Sequence, residues 1–411
     1  MKQLLRTLTL ALVRLYGLPG ALRAARKARQ EVSRTPRILL VRPDHLGDLV
    51  LTTPVLDALR THIADAHITM MVGPWSSEVV ARHPALNQLI ACPFPGFQRA
   101  PQRALAPYIL LLNTAKQLRK QNYDLAINLR PDFWWGAALL YLAGIPRRLG
   151  YAIAPGTPFL TQALPFQPPE HATVSNLRLT SAALEALGQA PLAQPFTPER
   201  YPLHFTPTAE EQAWVTERLR KEGIDEHTPI VVIHPGAGAD VKLWRTEAWS
   251  ACANALPRLL TSAAAPRIIL TGSQREQPML AEIARGMTSP PVMITDMSTG
   301  QLAALLQRAR MVLGVDSGPP HLAVAQGTPT LHIFGPTDPR IFGPWGKHEQ
   351  HIVIASTQRC PGCPGIPCGR LDFSAEELPA HPCVRLVPEQ QVEAAIASIL
   401  RKESAPSPNS I

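Results

Sequence analysis

The chain has 411 residues, 45% of them hydrophobic and 17% charged. That length favours two domains over one, and the apolar content excludes a disordered chain. A net charge of +9 suits an anionic partner such as nucleotide phosphates, an acidic glycolipid or a membrane surface. The sequence has no recognised nucleic-acid module and no basic–aromatic interleaving, which argues against nucleic acid.

Residues 1–36 form a basic amphipathic segment. Lys2, Arg6, Arg14, Arg23, Arg26, Lys27 and Arg29 all precede the first acid, Glu31. The apolar stretch from Leu4 to Tyr16 is interrupted by Arg6 and Arg14, so no run reaches the roughly 18–20 residues that a membrane span needs. Its short, Arg-bounded core also makes a poor signal peptide. Two readings stay open: an interfacial helix on anionic lipid, and a helix packed on the body of the protein.

The first domain is expected over 37–190. Short apolar strands are expected at Arg37–Arg42, His67–Val72, Gln88–Ala91 and Tyr123–Leu129, with helices between them such as Pro54–Ala64. The first strand runs into Arg42-Pro43-Asp44-His45-Leu46-Gly47-Asp48 and then a helix. Gly47 permits a tight turn. Asp48 reads either as a helix N-cap or as a carboxylate placed to remove a proton. Asp44 is the rival carboxylate. Arg42, Asp44 and His45 are candidates to contact an anionic acceptor, as are Arg130, Arg147 and Arg148, which otherwise read as solvated surface. The 43 prolines cluster in loops and linkers, and 191–208 is the expected interdomain linker.

The second domain is expected over 209–387. It opens with a helix at Ala209–Glu222, followed by strands at Ile230–His234, Arg267–Thr271, Val292–Thr295, Met311–Val315 and Thr330–Phe334. After the first of these comes His234-Pro-Gly236-Ala-Gly238-Ala-Asp-Val-Lys242. Its glycines let backbone amides approach a pyrophosphate, and Lys242 adds a mobile positive charge. Glu276, just past the second strand, is placed to bind ribose hydroxyls. The fourth strand runs into Asp316-Ser317-Gly318-Pro319-Pro320-His321. The prolines can set a helix's first turn, where a missing N–H costs nothing. Ser317 and the amides near Gly318 suit phosphate, Asp316 suits sugar hydroxyls, and His321 suits a phosphate oxygen or a bond within the core.

Cys360, Cys363, Cys368 and Cys383 form a C-x2-C-x4-C-x14-C pattern in the loop 360–383. The spacing is compatible with structural zinc, with a disulfide-linked loop, and with four plain thiols. Without an export signal, reduced thiols in cytoplasm are the default. A helix is expected at 388–402, followed by a flexible tail at 403–411.

Three segments together carry a family resemblance: ILLVRPDHLGDLVLTTPVLDALR (38–60), IVVIHPGAGADVKLWRTEAW (230–249) and VLGVDSGPPHLAVAQGTPTLHIFGPTD (312–338). In this order and spacing the chain resembles the heptosyltransferase family, glycosyltransferase family 9. The resemblance implies an α/β fold of GT-B type, with two Rossmann-like domains facing each other across a cleft and the last helix crossing back to the first domain. It implies an inverting, metal-independent glycosyltransferase acting from a nucleotide-sugar, ADP-heptose, on an anionic lipid-linked saccharide such as a lipopolysaccharide core. The setting would be the cytoplasmic face of the inner membrane, with peripheral contact through the basic N-terminal segment. It assigns Asp48 as catalytic base, Lys242 as the cation facing the departing diphosphate, and Gly236, Gly238, Glu276, Asp316, Ser317, Gly318 and His321 to the donor. The doubled proline departs from the usual pattern, stiffening the turn while leaving the ligand positions intact. No cofactor is implied for catalysis. The rival readings are another GT-B transferase with a different donor, a sugar-nucleotide epimerase, and a non-catalytic nucleotide-binding scaffold. An epimerase would need no acceptor.

Overall fold

A computed structural model describes residues 2–29, 33–97, 105–260 and 265–403. It divides into two compact units that meet in sequence between Phe196 and Thr197, inside the expected linker. The first unit runs α1 (Lys2–Ala28), β1 (Arg37–Arg42), α2 (Leu46–Val50), α3 (Thr53–His62), β2 (His67–Val72), β3 (Gln88–Ala91), α4 (Ala106–Arg119), β4 (Leu125–Asn128), α5 (Trp134–Leu142), β5 (Arg147–Tyr151), β6 (Gln162–Leu164) and α6 (Ala172–Ala186). The second runs α7 (Ala209–Lys221), β7 (Ile230–His234), α8 (Thr246–Leu259), β8 (Arg267–Thr271), α9 (Gln277–Arg285), β9 (Val292–Ile294), α10 (Thr299–Arg308), β10 (Met311–Val315), α11 (Gly318–Ala325), β11 (Thr330–Phe334), α12 (Pro339–Phe342), β12 (His351–Ala355) and α13 (Glu389–Glu403). All but the first residue of the expected 403–411 tail lies outside the described residues.

Each unit holds one six-stranded, wholly parallel sheet. The orders are β3-β2-β1-β4-β5-β6 and β12-β11-β10-β7-β8-β9. Numbered within its own unit, each reads 3-2-1-4-5-6, the doubly wound order. The central strands are buried on both faces, which accounts for their unbroken apolar runs. In both units the order reverses beside the first strand, between β1 and β4 and between β7 and β10. Loops leaving those strand ends diverge to opposite faces of the sheet and open a crevice.

Three strands were not legible in the sequence. β5 begins with two arginines and reads as a surface segment. Arg148 is in fact buried, donating to the Phe159 and Ile145 carbonyl oxygens at 2.8 and 2.5 Å, and Arg147 donates to the Ala28 carbonyl at 2.9 Å. Arg148 is therefore structural rather than an acceptor contact, while Arg147 stays partly open with one nitrogen tied to the N-terminal helix. β6 is only three residues long, and β12 follows the charged run 347–350. The second half of the expected linker also belongs to the second unit. Trp345 Nε1 and Gln326 Nε2 donate to the carbonyls of Tyr201 and Phe205, each at 2.8 Å. The closing helix α13 buries Val392, Ile396 and Ile399 in the second unit's core, beside Trp249 and Leu256 of α8.

The reading of the N-terminal segment as a helix packed on the body of the protein is met. One face of α1 packs on α5 through Leu10, Val13 and Ala21, and Tyr141 Oη donates to the Arg14 carbonyl at 2.9 Å. Gly17 permits the close approach, since a Cβ there would lie 2.3 Å from the Tyr141 ring. The other face exposes Leu12, Leu15, Tyr16, Leu18 and Leu22. No helix of the described residues is long and apolar enough to cross a membrane.

The second sheet carries three buried histidines, His234, His332 and His351. Burial pushes His234 and His351 down to about 4, and His332 well below its ordinary range. Folding therefore holds them neutral, while the unfolded chain protonates them near 6.5. Their contribution to stability is complete above about pH 6.5 and is lost as the pH falls toward 4. Thermal unfolding should show the melting temperature declining through this window. A flat profile between about pH 6.5 and 5, above the carboxylate range, would contradict neutral buried histidines.

Candidate active site

The first unit's candidate residues sit at the carboxyl end of β1, beside the point where the strand order reverses. The buried Arg42 side chain joins four groups. It contacts Asp44 at 2.7 Å and Asp48 at 3.3 Å, and donates to the Leu129 carbonyl at 3.0 Å and to Asn176 at 3.3 Å. Asp44 is bonded on its other oxygen by Arg130. Its main chain is fixed as well, because Trp75 Nε1 and Ser76 Oγ donate to the Asp44 carbonyl at 3.1 and 2.8 Å.

This network separates the two carboxylates. The Asp44 side chain is 3% exposed and lies between two guanidinium groups, whereas Asp48 is 28% exposed. Asp48 is in the first turn of α2, and the N-cap position belongs to His45. The N-cap reading of Asp48 is thus displaced. Its backbone is tied down by Thr52 Oγ1, which donates to the Asp48 carbonyl at 2.7 Å and accepts from Asn176 Nδ2 at 3.1 Å. Arg42 and Asp44, expected at an acceptor, are instead buried among protein partners. His45 is exposed, its ring 5.8 Å from that of Trp75. Arg130 is the partly open cation here, bonded to Asp132 at 2.8 Å and lying 5.0 Å over the Phe97 ring. Asn176 and Trp75 escaped the sequence reading, because neither stands near the motif in the chain.

The second unit repeats the arrangement at the ends of β7 and β10. Lys242 Nζ and Thr337 Oγ1 reach the same oxygen of Asp316, at 2.6 and 2.5 Å. His321 Nε2 lies 4.0 Å from the other oxygen. Asp316 and His321 are buried, and Lys242 remains partly open. Ser317 is the N-cap of α11, and its hydroxyl donates to the Val315 carbonyl at 3.3 Å. Gly314 makes room for this turn, since a Cβ there would meet Pro320 at 2.6 Å. Glu276 lies against Gly236, where a Cβ would fall 2.0 Å from Glu276 Oε1. Its Oε2 accepts from the Ser273 amide and hydroxyl, both at 2.7 Å. Gly238 has open space where a Cβ would go. Among the expected donor residues, Lys242, Asp316 and His321 therefore form one cluster and Gly236 and Glu276 another. Thr337 was present in the G-x-T of the third motif but was given no role.

Two doubly wound units with charged side chains at each strand-order reversal are an arrangement that many α/β proteins share, so the family is decided by comparison. Residues 111–365, well over half of the chain, match Glycosyltransferase family 9 (heptosyltransferase). The chain belongs to this family. The glycosyltransferase is 28% identical over 315 residues to lipopolysaccharide heptosyltransferase 3 of Escherichia coli, covering 74% of this chain and 84% of that one. Its fold is similar to the family 9 glycosyltransferase of Veillonella parvula, with a TM-score of 0.72 at 22% identity, covering 91% of this chain and 99% of that one. It is also similar to E. coli heptosyltransferase WaaC with ADP, with a TM-score of 0.62 at 19% identity, covering 88% and 99%. The GT-B fold class follows. The family match begins at residue 111, so the glycosyltransferase's Asp48 loop lies before it.

The two glycines should behave differently in this glycosyltransferase. G236A is expected to push the Glu276 carboxylate away from Ser273 and to cost about 1 kcal/mol, the worth of the displaced cap bonds. G238A should be neutral within about 0.5 kcal/mol apart from its backbone effect. Paired thermal unfolding measurements check this; equal melting temperatures for the two variants would remove Glu276 from the Gly236 turn.

Proposed function

We propose that this glycosyltransferase transfers heptose from ADP-heptose, with inversion and without a catalytic metal, to a lipopolysaccharide-core type of acceptor. The observation that carries the reading is the Lys242–Asp316–Thr337 cluster at the strand-order reversal of the second unit, in which the acid is buried and the lysine partly open. An ammonium held there by a buried carboxylate is a preset positive charge, suited to a diphosphate whose negative charge grows as the sugar leaves. The ADP in the WaaC structure and the lipopolysaccharide acceptor in the name of the E. coli relative supply the donor and acceptor classes.

In the proposed reaction the acceptor oxygen bonds to the anomeric carbon as that carbon's bond to the diphosphate breaks. The bonding pair leaves with ADP, and the acceptor's proton passes to the Asp48 carboxylate. Asp48 suits this role because it is the more open of the two carboxylates and is oriented by Arg42. Asp44 and Arg42 then act as positioning residues, while Arg130 and His45 are the groups suited to acceptor phosphates. Asp316 serves as anchor for Lys242 rather than as a sugar ligand. Peripheral membrane contact fits the exposed apolar face of α1, which carries the exposed cations Arg14, Arg23 and Arg26.

Calorimetry against ADP, UDP and GDP, with and without magnesium, tests the donor. ADP should bind at least about tenfold more tightly than the others, a difference of ~1.4 kcal/mol, irrespective of metal. D48N should keep ADP affinity within about twofold and lose at least about 100-fold in turnover, the range of general-base catalysis. Preference for another nucleotide would replace the donor, and near-normal D48N turnover would replace the base.

Vesicle co-sedimentation tests the membrane contact. The protein should bind anionic vesicles, lose binding as salt rises, and lose about tenfold in L12E/L15E. Equal binding by wild type and variant would remove α1 from the contact.

A further inference from the structure

Asn176 stands inside α6, at a position that a helix fills better with leucine or alanine. It is buried, and a buried amide is costly unless its oxygen and its nitrogen both find partners. Both do, and the partners flank Asp48 in the chain. The Asn176 oxygen accepts from Arg42 Nη1 at 3.3 Å, and its nitrogen donates to Thr52 Oγ1 at 3.1 Å. Each partner continues to Asp48 by a second bond. Arg42 Nη2 donates to Asp48 Oδ1 at 3.3 Å, and the Thr52 hydroxyl donates to the Asp48 carbonyl at 2.7 Å. One amide thus reaches both the side chain and the main chain of Asp48, each through a single intermediary.

The rules of donor and acceptor leave little choice of residue here. A guanidinium has donors only, so the atom that faces Arg42 must be an acceptor. The Thr52 hydroxyl uses its single hydrogen on the Asp48 carbonyl, so the atom that faces it must be a donor. A carboxamide presents an acceptor and a donor side by side. A carboxylate of the same size leaves the second bond unmade, and an aliphatic side chain leaves both.

These bonds also set direction. The guanidinium is planar and rigid. Arg42 Nη1 is held by Asn176 and by the Leu129 carbonyl at 3.0 Å, while Nε lies 2.7 Å from Asp44. Together these contacts fix the plane and aim Nη2 at Asp48. The helix that carries Asn176 is itself anchored. Thr173 Oγ1 donates to the Leu51 carbonyl at 2.9 Å, tying α6 to the end of α2. Tyr151 Oη donates to the Ser175 carbonyl at 2.7 Å, tying it to β5.

We propose that Asn176 is a positioning residue for Asp48, directing its carboxylate through Arg42 and fixing its helical turn through Thr52. The inference rests on the reading of Asp48 as the base that receives the acceptor's proton. Asn176 takes no proton itself. Arg42 holds Asp48 Oδ1, so a fixed guanidinium fixes the orientation of the whole carboxylate. A base moved by about 1 Å from its line of approach loses on the order of 100-fold in rate. ADP binding, assigned to the second unit, is untouched by such a shift.

The test is turnover, measured as ADP released from ADP-heptose with heptose-deficient lipopolysaccharide as acceptor, with thermal unfolding alongside. N176L keeps the volume and removes both bonds. T52V keeps the shape and removes only the hydroxyl, and T52S restores it. N176L and T52V should each lower kcat by about 10–100-fold, with the donor KM and ADP affinity within about twofold of wild type. T52S should keep kcat within about threefold. The effect should vanish without its target: in a D48N background, N176L should change the residual turnover by less than about twofold. A purely structural role would lower the melting temperatures of N176L and T52V and leave kcat of the folded enzyme near wild type, which overturns the inference. A further loss of about tenfold on adding N176L to D48N overturns it too. If N176L does not fold, T52V against T52S decides, and equal turnover of the two is the overturning result. Near-normal turnover of D48N alone would instead remove the base, and the role of Asn176 with it.

Discussion

A carboxylate buried at the end of a parallel strand must be met by a cation, because solvent cannot reach it. Both halves of this enzyme are built on that constraint. In the first, Asp44 is enclosed by Arg42 and Arg130, and the same Arg42 reaches Asp48. In the second, Asp316 is enclosed by Lys242 and Thr337. Each buried acid fixes the position of a charged neighbour that remains accessible: Asp48 in one case, Lys242 in the other. Removing either partner of such a pair leaves a charge stranded in low dielectric, which typically costs 3–5 kcal/mol. Asp48 and Lys242 are consequently held by ion pairs whose breaking would cost a large share of the fold's stability.

The sheet order places these pairs. In both units the first and fourth strands are neighbours, and the loops that follow them carry the acid and its partner. Arg42 ends β1 and Asp44 follows it, and Arg130 follows β4; Lys242 follows β7, and Asp316 follows β10. The two halves thus reach one solution with different residues. The first uses a pair of arginines, whose rigid forks can hold two carboxylates at once. The second uses a lysine, a compact charge better suited to exchanging partners.

The motif residues were legible because chemistry and local backbone coincide in them. A strand that runs into Asp-Ser-Gly or into Pro-Gly-x-Gly announces its own end, and β7 and β10 were found with their observed limits, as were β1 and β11. What stayed hidden depends on distant segments. Asn176 bonds Arg42 across 134 positions of chain, and no local pattern encodes such a partnership. Arg148 was read as surface because arginine is seldom buried, yet two carbonyls at a loop accept its protons. Arg42 and Asp44 were assigned outward for the same reason. Sequence identifies the charge, but only the fold shows whether another charge already answers it. The cysteine spacing likewise left several states open, because spacing alone does not say which thiols meet.

The paired prolines of α11 carry one further consequence. Of the five residues from Ser317 to His321, Pro319 and Pro320 have no amide hydrogen, so this helix end offers fewer main-chain donors than most. Their rings also fix two φ angles before any ligand arrives, and Pro320 is wedged against Gly314 in the strand beneath. The turn therefore gives up hydrogen-bonding capacity and gains rigidity. Recognition shifts from an adaptable cradle of amides to a preformed rim of side chains, and little conformational freedom is left to be lost on binding.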